Sequence, residues 1–570
     1  MSLLAALNIG ESALMVQQLG LSVTGHNVAN VNTEGYTRQR VGMVTGQPIG
    51  LPGSLIMGGG VQASLIEQTL DRYLDERIML ADSTLSYLGV QRETLGRIEA
   101  ILGELTDTDL STAFSRFFDA VQDLANNPED VSTRAMLIQT GEGFVSEVRT
   151  IYEQLNRFRE ERVGEVGNAV EEINHLIEDI GQLNASIAEM ESEPSRQTAN
   201  DLRDQRRALL GELSGLVQVK SYEDERGMLN VYVGNYALVQ GTTYHSLESS
   251  TEVVEGVVYP VVAFAHDGMD LPITGGRLMG LLEGREGAVD RALEDLNTLI
   301  STFIYEVNRV HSQGQGLVEY STLTSVEGVR DTAAVLSDAG LAFEVKNGSF
   351  NVNVVNKQTG EVEMFNIEVD LDGVGADSTL QSIVAEFTAE VTAAYADVTG
   401  SITGTGRLVL TSGSDDYGFT FGEDTSGLLA ALGVNTFFTG RGANDIGMNG
   451  VIAANPQLVA AGQSRAVGDN TNALALADLQ LQGIEGLGGA TFSDFYQGVV
   501  SRIGSSAANA QALEQNQAAL LISLQSERER ISGVNIDEET VRLIAYQQGF
   551  QAAAKFISVI DEMVDTLMSL

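Results

Sequence analysis

The chain has 570 residues, enough for three or four domains, and its 43% hydrophobic and 19% charged residues are the balance of a folded protein, not a disordered one. Its 78 Asp and Glu against 33 Lys and Arg give a net charge of -45, a surface that repels nucleic acid and anionic lipid and argues against either as a partner. With no Cys there is no disulfide, no thiolate nucleophile and no Cys-ligated metal.

The first 23 residues superficially suggest a secretory signal, but no Lys or Arg occurs before Arg38, and Glu11, Gln17 and Gln18 interrupt the apolar run. They are read as a retained helix, and export, if it occurs, as using a route without cleavage. No window of 18 apolar residues predicts a membrane span. Leu7, Leu14, Leu21 and Val28 recur every seven residues, and Ile9, Val16 and Val23 form a second row at the same spacing. The two rows lie about 200° apart on a helix, so this helix wants neighbours on two sides. Gly25, Asn27, Asn30 and Asn32 then supply helix-stopping and turn chemistry.

Helical periodicity returns from Leu74 to Leu105 and again from Val166 to Met190, ending before Pro194. Each run, counted with its flanks, predicts a helix of about 40 residues, roughly 60 Å long, and the pair suggests an antiparallel rod. A shorter amphipathic helix at 201–217 leads into alternating strands around GMLNVYVGNYALVQG, and helical spacing resumes at 289–312. Residues 331–440 are rich in Val, Thr, Gly and Asp and read as hairpins with one short helix near Leu380 to Tyr395. From about 491 the chain is helical again. Leu543, Tyr546, Phe550, Ala553, Ile557, Ile560, Val564 and Leu567 alternate spacings of three and four, the seam of a coiled coil. A solitary helix cannot bury such a stripe. Its partner is the N-terminal helix, a neighbouring copy or both, and the two-sided N-terminal helix favours both; the ends are therefore expected to order on assembly.

The expected fold is mainly α with β-rich outer domains. Residues 1–35 pair with 520–570; 36–230, completed by 441–519, form the helical rod; 231–330 form a mixed domain; 331–440 form an inserted β-rich domain. No pattern calls for an enzyme, a cofactor or a metal. His26, His175, His245, His266 and His311 show no ligand-pair spacing. Asp370, Asp372 and Asp377 open like a calcium loop but lack its closing Glu, which favours a solvated turn. GTGRLVL at 404–410 lacks the third Gly of a dinucleotide loop and reads as a hairpin turn.

SVTGHNVANVNTEGYTRQR (22–40), with Ala29, Asn30, Thr33, Gly35 and Tyr36 in an ANxxTxGY-type pattern, resembles the signature that follows the first helix of flagellar axial proteins. SGVNIDEE (532–539) and YQQGFQAAAKF (546–556) resemble the C-terminal signature of the same family. DQRRALLGELSGLV (204–217), NRVHSQG (308–314) and GDNTNALALADLQ (468–480) resemble its hook-associated branch. The resemblance implies a structural protein, secreted and extracellular, at the junction between flagellar hook and filament. It implies export unfolded through the type III channel and self-assembly into a ring. Expected partners are hook protein, hook-associated protein 3 and an export chaperone masking the C-terminal helix. The Leu7 row and the Leu543–Leu567 seam are expected to pack subunits, and Asn27, Ala29, Asn30, Thr33, Gly35 and Tyr36 to form the hinge that ends the inner helix. The rival within the family is a hook or rod protein, which shares both ends; the rival outside it is an adhesin or hydrolytic module in 331–440.

Overall fold

The computed structural model describes residues 3–33, 35–51, 55–103, 109–192, 198–254, 257–282 and 287–569. Leu105 and Pro194, invoked above, lie outside the described residues. The helices are α1 (Leu3–Ala29), α2 (Arg72–Leu102), α3 (Leu110–Asn126), α4 (Val131–Met190), α5 (Asn200–Leu216), α6 (Gly276–Leu281), α7 (Ala288–Ser312), α8 (Leu380–Phe387), α9 (Leu428–Leu432), α10 (Gly450–Ala454), α11 (Thr471–Asp478), α12 (Phe492–Ser532) and α13 (Ile536–Met568). The protein is mainly α, with small sheets. The chain divides into two units, one of residues 1–93, 160–285 and 507–570, the other of 94–159 and 286–506. These cuts fall at other places than the four-part expectation, and they pass through α2, α4 and α12.

The first unit contains both chain ends. Strands β1 (Gln39–Thr45) and β4 (Val61–Gln68) pair antiparallel from Gln39 opposite Gln68 to Thr45 opposite Val61, and between them β2 (Ile49–Leu51) pairs with β3 (Leu55–Met57). A meander follows α5, with β5 (Lys220–Glu223), β6 (Leu229–Val233), β7 (Tyr236–Gln240) and β8 (Thr243–Tyr244) in that order, and β9 (Leu247–Val254) pairs with β10 (Val257–Phe264). The core forms where the three-four apolar spacing of Val166, Val170, Ile173, Ile177 and Ile180 on α4 meets Leu210 and Leu213 of α5 and Val231, Val233 and Val239 of the meander. A smaller cluster joins Leu74, Ile78 and Ala81 of α2 to Leu521 and Leu524 of α12.

The second unit has strands β11 (Thr322–Thr324), β12 (Gly348–Asn356), β13 (Val362–Val369), β14 (Val398–Ile402), β15 (Leu408–Ser412), β16 (Tyr417–Asp424), β17 (Phe438–Thr439) and β18 (Gly447–Met448). Its three-stranded sheets run β13-β12-β16 and β11-β15-β14. Phe350, Val352, Phe419 and Phe421 of the first sheet share one core with α3, α7 and the start of α12. At its centre Phe303 packs against Phe114, Phe117, Phe144, Phe438 and Phe492. The strands of 331–440 therefore bury their inner face against helices from outside that range, and β11, which precedes it, pairs with β15.

Three parts of the chain differ from the sequence reading, the first being β1 to β4, which pair as hairpins inside 36–230, the range expected to be helical rod. Helix α3 was not expected, although Leu110, Phe114, Phe117, Val121 and Leu124 lie on one face and the Asp109 carboxylate accepts a hydrogen bond from Thr112 N at 2.7 Å. Helix α4 has 60 residues, because periodicity continues upstream through Leu137, Phe144, Val148, Ile151 and Leu155.

Candidate subunit-assembly interface

Helix α1 ends at Ala29, where its last turn is closed by the Asn30 amide, which donates to His26 O at 3.1 Å, and by Thr33 Oγ1, which donates to Asn30 Oδ1 at 3.2 Å. Gly35 then turns the chain at φ +76, a left-handed conformation that suits Gly. The reversal brings Tyr36 back over the helix. Its hydroxyl donates to Asn27 Oδ1 at 2.8 Å, and the same oxygen accepts from Gln39 N at 3.0 Å. The Asn27 amide nitrogen donates to Gln39 O at 2.8 Å and to Glu539 Oε2 at 2.9 Å. Asn27 and Glu539 are each 1% exposed, so this amide spends its full bonding capacity inside the protein and ties the end of α1 to the start of α13. Arg542 lies 3.0 Å from the other Glu539 oxygen. Burial and the nearby carboxylates of Asp201, Asp204 and Glu539 push the Tyr36 pKa well above its usual value, which keeps the hydroxyl a donor.

The next residues fasten the turn to α5 and to the α12–α13 connection. Thr37 donates from its backbone and its hydroxyl to the two Asp204 oxygens at 3.0 and 2.8 Å, and Gln68 and Arg207 donate to Asp204 Oδ1 at 2.9 and 2.7 Å. Burial nevertheless holds the Asp204 pKa above the ordinary carboxylate value, outweighing Arg207 and the Thr37 donors. Gln39 donates to Asp201 at 2.9 Å, Arg38 N to Ser532 O at 2.9 Å, and the Arg38 guanidinium to Glu538 at 2.9 Å. Three stretches noted separately in the sequence, 22–40, 204–217 and 532–539, thus meet at one polar junction. Asp204, Arg207, Gln39 and Glu539 were not named as site residues. Separations of 167 and 512 residues leave no spacing signal, although all four sit inside the stretches quoted for the resemblance.

Helices α1 and α13 run antiparallel: a Cβ on Gly10 would lie 2.7 Å from Ile557, one on Gly20 2.5 Å from Tyr546, and one on Gly549 2.7 Å from Gln17. Of the seam, Ala553 and Ile560 are buried, Leu543, Tyr546, Phe550, Ile557 and Val564 half-buried, and Leu567 is 61% exposed. The seam's partner within the chain is therefore α1, and the closest approach runs along Gly10 and Gly20. Leu7, Leu14, Leu21 and Val28 are half-buried, while Val16 and Val23 of the second row are buried. About 120° around α13 from the seam runs a second apolar stripe of Val541, Ala545, Ala552, Phe556, Val559 and Met563. It is exposed throughout, with Val541 at 67% and Met563 at 52%. Leu4 and Met15 of α1 are exposed as well.

The second unit has a polar junction of its own, built from NRVHSQG and the stretch at 468–480. His311 Nδ1 lies 2.8 Å from Asn435 O and its Nε2 accepts from Ala460 N at 3.0 Å, which places the ring proton on Nδ1. Complete burial lowers the His311 pKa to about 4. Asn435, at φ +52, donates to Ser312 O and Gly314 O at 3.0 Å and accepts from the Tyr320 hydroxyl at 2.8 Å. Asn472 donates to Ala460 O at 2.9 Å.

His245 and His266, distant in sequence, have ring centroids 4.9 Å apart. The carboxylates of Asp370, Asp372 and Asp377 cluster, and they accept from backbone amides of their own turn, including Gly373 N and Val374 N. Gly406 forms the β14–β15 turn at φ +74. Among the described residues no helix is long and apolar enough to cross a membrane.

Three family models match the chain: the flagellar hook-associated protein FlgK helical domain at residues 95–322, the flagella basal body rod protein at 7–37, and the flagellar basal body rod FlgEFG protein C-terminal region at 525–570. The last two cover the α1 turn and α13, the segments joined through Asn27 and Glu539. Flagellar hook-associated protein 1 of Salmonella typhimurium is 27% identical over 99% of this chain and 99% of its own. The Bacillus subtilis protein of that name is 26% identical over 99% and 97%, and the Escherichia coli one 26% over 99% of both. The solved structure of the flagellar hook junction protein FlgK from Burkholderia pseudomallei shares the fold, with a TM-score of 0.51 at 17% identity, covering 80% of this chain and all of that one.

Proposed function

We infer that this chain, which belongs to the hook-associated protein 1 family of flagellar axial proteins, is a structural component of the bacterial flagellum at the junction between hook and filament. The observation that carries this reading is the end-to-end alignment, reinforced by the way the two terminal segments matched to axial proteins fold into a single polar junction. The helical-domain match at 95–322 favours the hook-associated branch over a hook or rod protein.

In this reading α1 and α13 form a two-stranded coiled coil that, repeated around a ring of copies, makes the wall of an inner tube. The rod helices and the β-rich part at 331–440 project outward. The turn Asn27–Tyr36 is the hinge at which the chain leaves the inner layer. Hook protein below and hook-associated protein 3 above are the expected neighbours, and an export chaperone covers α13 before secretion. The role is one of shape and attachment, not catalysis. Immunolabelling of intact flagella tests it: label confined to the hook end of the filament is expected, and label along the filament, or on the cell body alone, overturns it.

A further inference from the structure

Beneath the turn at 30–37, helices α2, α5 and α12 leave a cleft of about 950 Å³. Leu70, Ile78 and Met79 make its apolar part. Its polar lining carries the carboxylates of Asp82, Asp204, Glu212 and Glu529 against the guanidiniums of Arg207 and Arg528, an acidic excess. The Ser532 hydroxyl belongs to a residue that is 6% exposed and has no hydrogen bond. The Asp82 carboxylate has no ion pair, and its burial raises its pKa. An unsatisfied buried hydroxyl and an unpaired carboxylate both cost free energy unless something outside the chain meets them. A third observation concerns the wall. Gly211 sits in the interior of α5, where Gly is about 1 kcal/mol less favourable than Ala, and a Cβ there would meet nothing within 4 Å. The fold has no packing need for that gap, and it opens into the cleft.

We propose that this cleft receives the outer stripe of α13 from a second copy of the chain, with Lys555 of that copy meeting Asp82. The stripe offers Ala552, Phe556 and Val559, all exposed, and Lys555 stands at its edge, exposed and without an ion pair among the described residues. Phe556 also touches α1 at Gly10 but keeps 45% of its surface exposed. In a chain with only four lysines and a net charge of -45, a cation beside an exposed apolar stripe matches a cleft with an apolar floor and an excess of acids. Cleft and stripe are different patches of one molecule, so the contact is head-to-tail, and head-to-tail contacts close into rings or extend into helical arrays. This docking rests on the self-assembly reading above and specifies which surfaces carry it.

The absence of native Cys makes the test clean. Full-length Gly211→Cys and Phe556→Cys variants, mixed under mild oxidation at assembling concentration, are expected to give a mixed disulfide between copies, as are flagella from cells expressing both. Lys555→Glu is expected to raise the concentration needed for assembly about tenfold, the loss of one desolvated charge pair, and Asp82→Lys in the same chain to restore it. Far-UV circular dichroism of each variant checks folding, with Ala208→Cys as the alternative if Gly211→Cys loses helicity. Assembly without the mixed bridge, or with same-site bridges alone, overturns this docking while label at the hook end leaves the functional reading standing. A chain that neither assembles nor labels the hook end removes both.

Discussion

Each unit is pinned by a buried asparagine, and the two asparagines do different work. Asn435 joins segments 115 to 124 residues apart, its partners are carbonyls and a tyrosine hydroxyl, and the junction around it lies beside the phenylalanine-rich core. Asn27 reaches across 512 residues to a carboxylate, in a network of Asp201, Asp204, Arg207, Arg38 and Glu538 that borders an open cleft. The second unit gathers its apolar groups around the phenylalanine core, although Gln315, Asn353, Thr420 and Asn472 each keep one buried polar atom without a partner among the described residues. The first leaves an apolar stripe on α13, a half-exposed leucine row on α1 and an unpaired acid. A unit with such surplus surface is suited to meeting a neighbour.

Five experiments break or sharpen that contrast. Asn27→Ala strands Glu539, Tyr36 and Gln39 inside the first unit and is expected to cost about 3–5 kcal/mol there, as breaking a buried charged network does. Denaturant unfolding followed by hydrogen exchange should show the loss in residues 1–93 and 507–570, and not around Phe303.

Acid should act on the other unit. His311 titrates at about 4 in the folded chain, below the ordinary 6.5, so the stability tied to its neutral ring is present above 6.5 and lost as pH falls toward 4. The loss amounts to roughly 3 kcal/mol. His311→Gln should flatten that acid slope in exchange of α7, and an unchanged slope would remove the assignment.

Gly20→Ala forces a Cβ against the Tyr546 ring and is expected to cost about 1–3 kcal/mol, the usual range for overpacking, read as faster exchange of α1 and α13 together. Gly35→Val places a β-branched residue at φ +76, where there is room for the side chain but not for the backbone. It should cost about 1–2 kcal/mol, leave monomer helicity intact and cripple junction assembly. Val559→Ser on the exposed stripe should change the isolated chain's stability by less than about 0.5 kcal/mol and weaken assembly all the same.

The legible parts of the fold were those where periodicity speaks locally. The three-four spacing of α13, the strands at 229–240 and the helix at 288–312 stood close to their observed bounds because each element buries one face against whatever packs on it. Helix α3 was equally legible in Leu110, Phe114, Phe117 and Val121, and its Asp109 cap, but it lay between longer runs that drew the reading. The candidate site was half legible. Asn27, Asn30, Gly35 and Tyr36 carry turn chemistry that any reader can see, whereas Glu539 and Asp204 are unremarkable acids in a chain with 78 of them. What selects them is a contact between distant segments, and composition holds no trace of that. The same limit hid the meeting of His245 with His266.

The central claim is that the seam of α13 finds its partner in α1 while the outer stripe waits for another copy. Hydrogen exchange on the purified chain at low concentration, repeated on the protein in isolated flagella, tests it most directly. Measurable but modest protection of 3–29 and 536–568 is expected in the isolated chain, rising to that of the phenylalanine core once assembled. Core-level protection of both helices in the lone chain, unchanged on assembly, would contradict it.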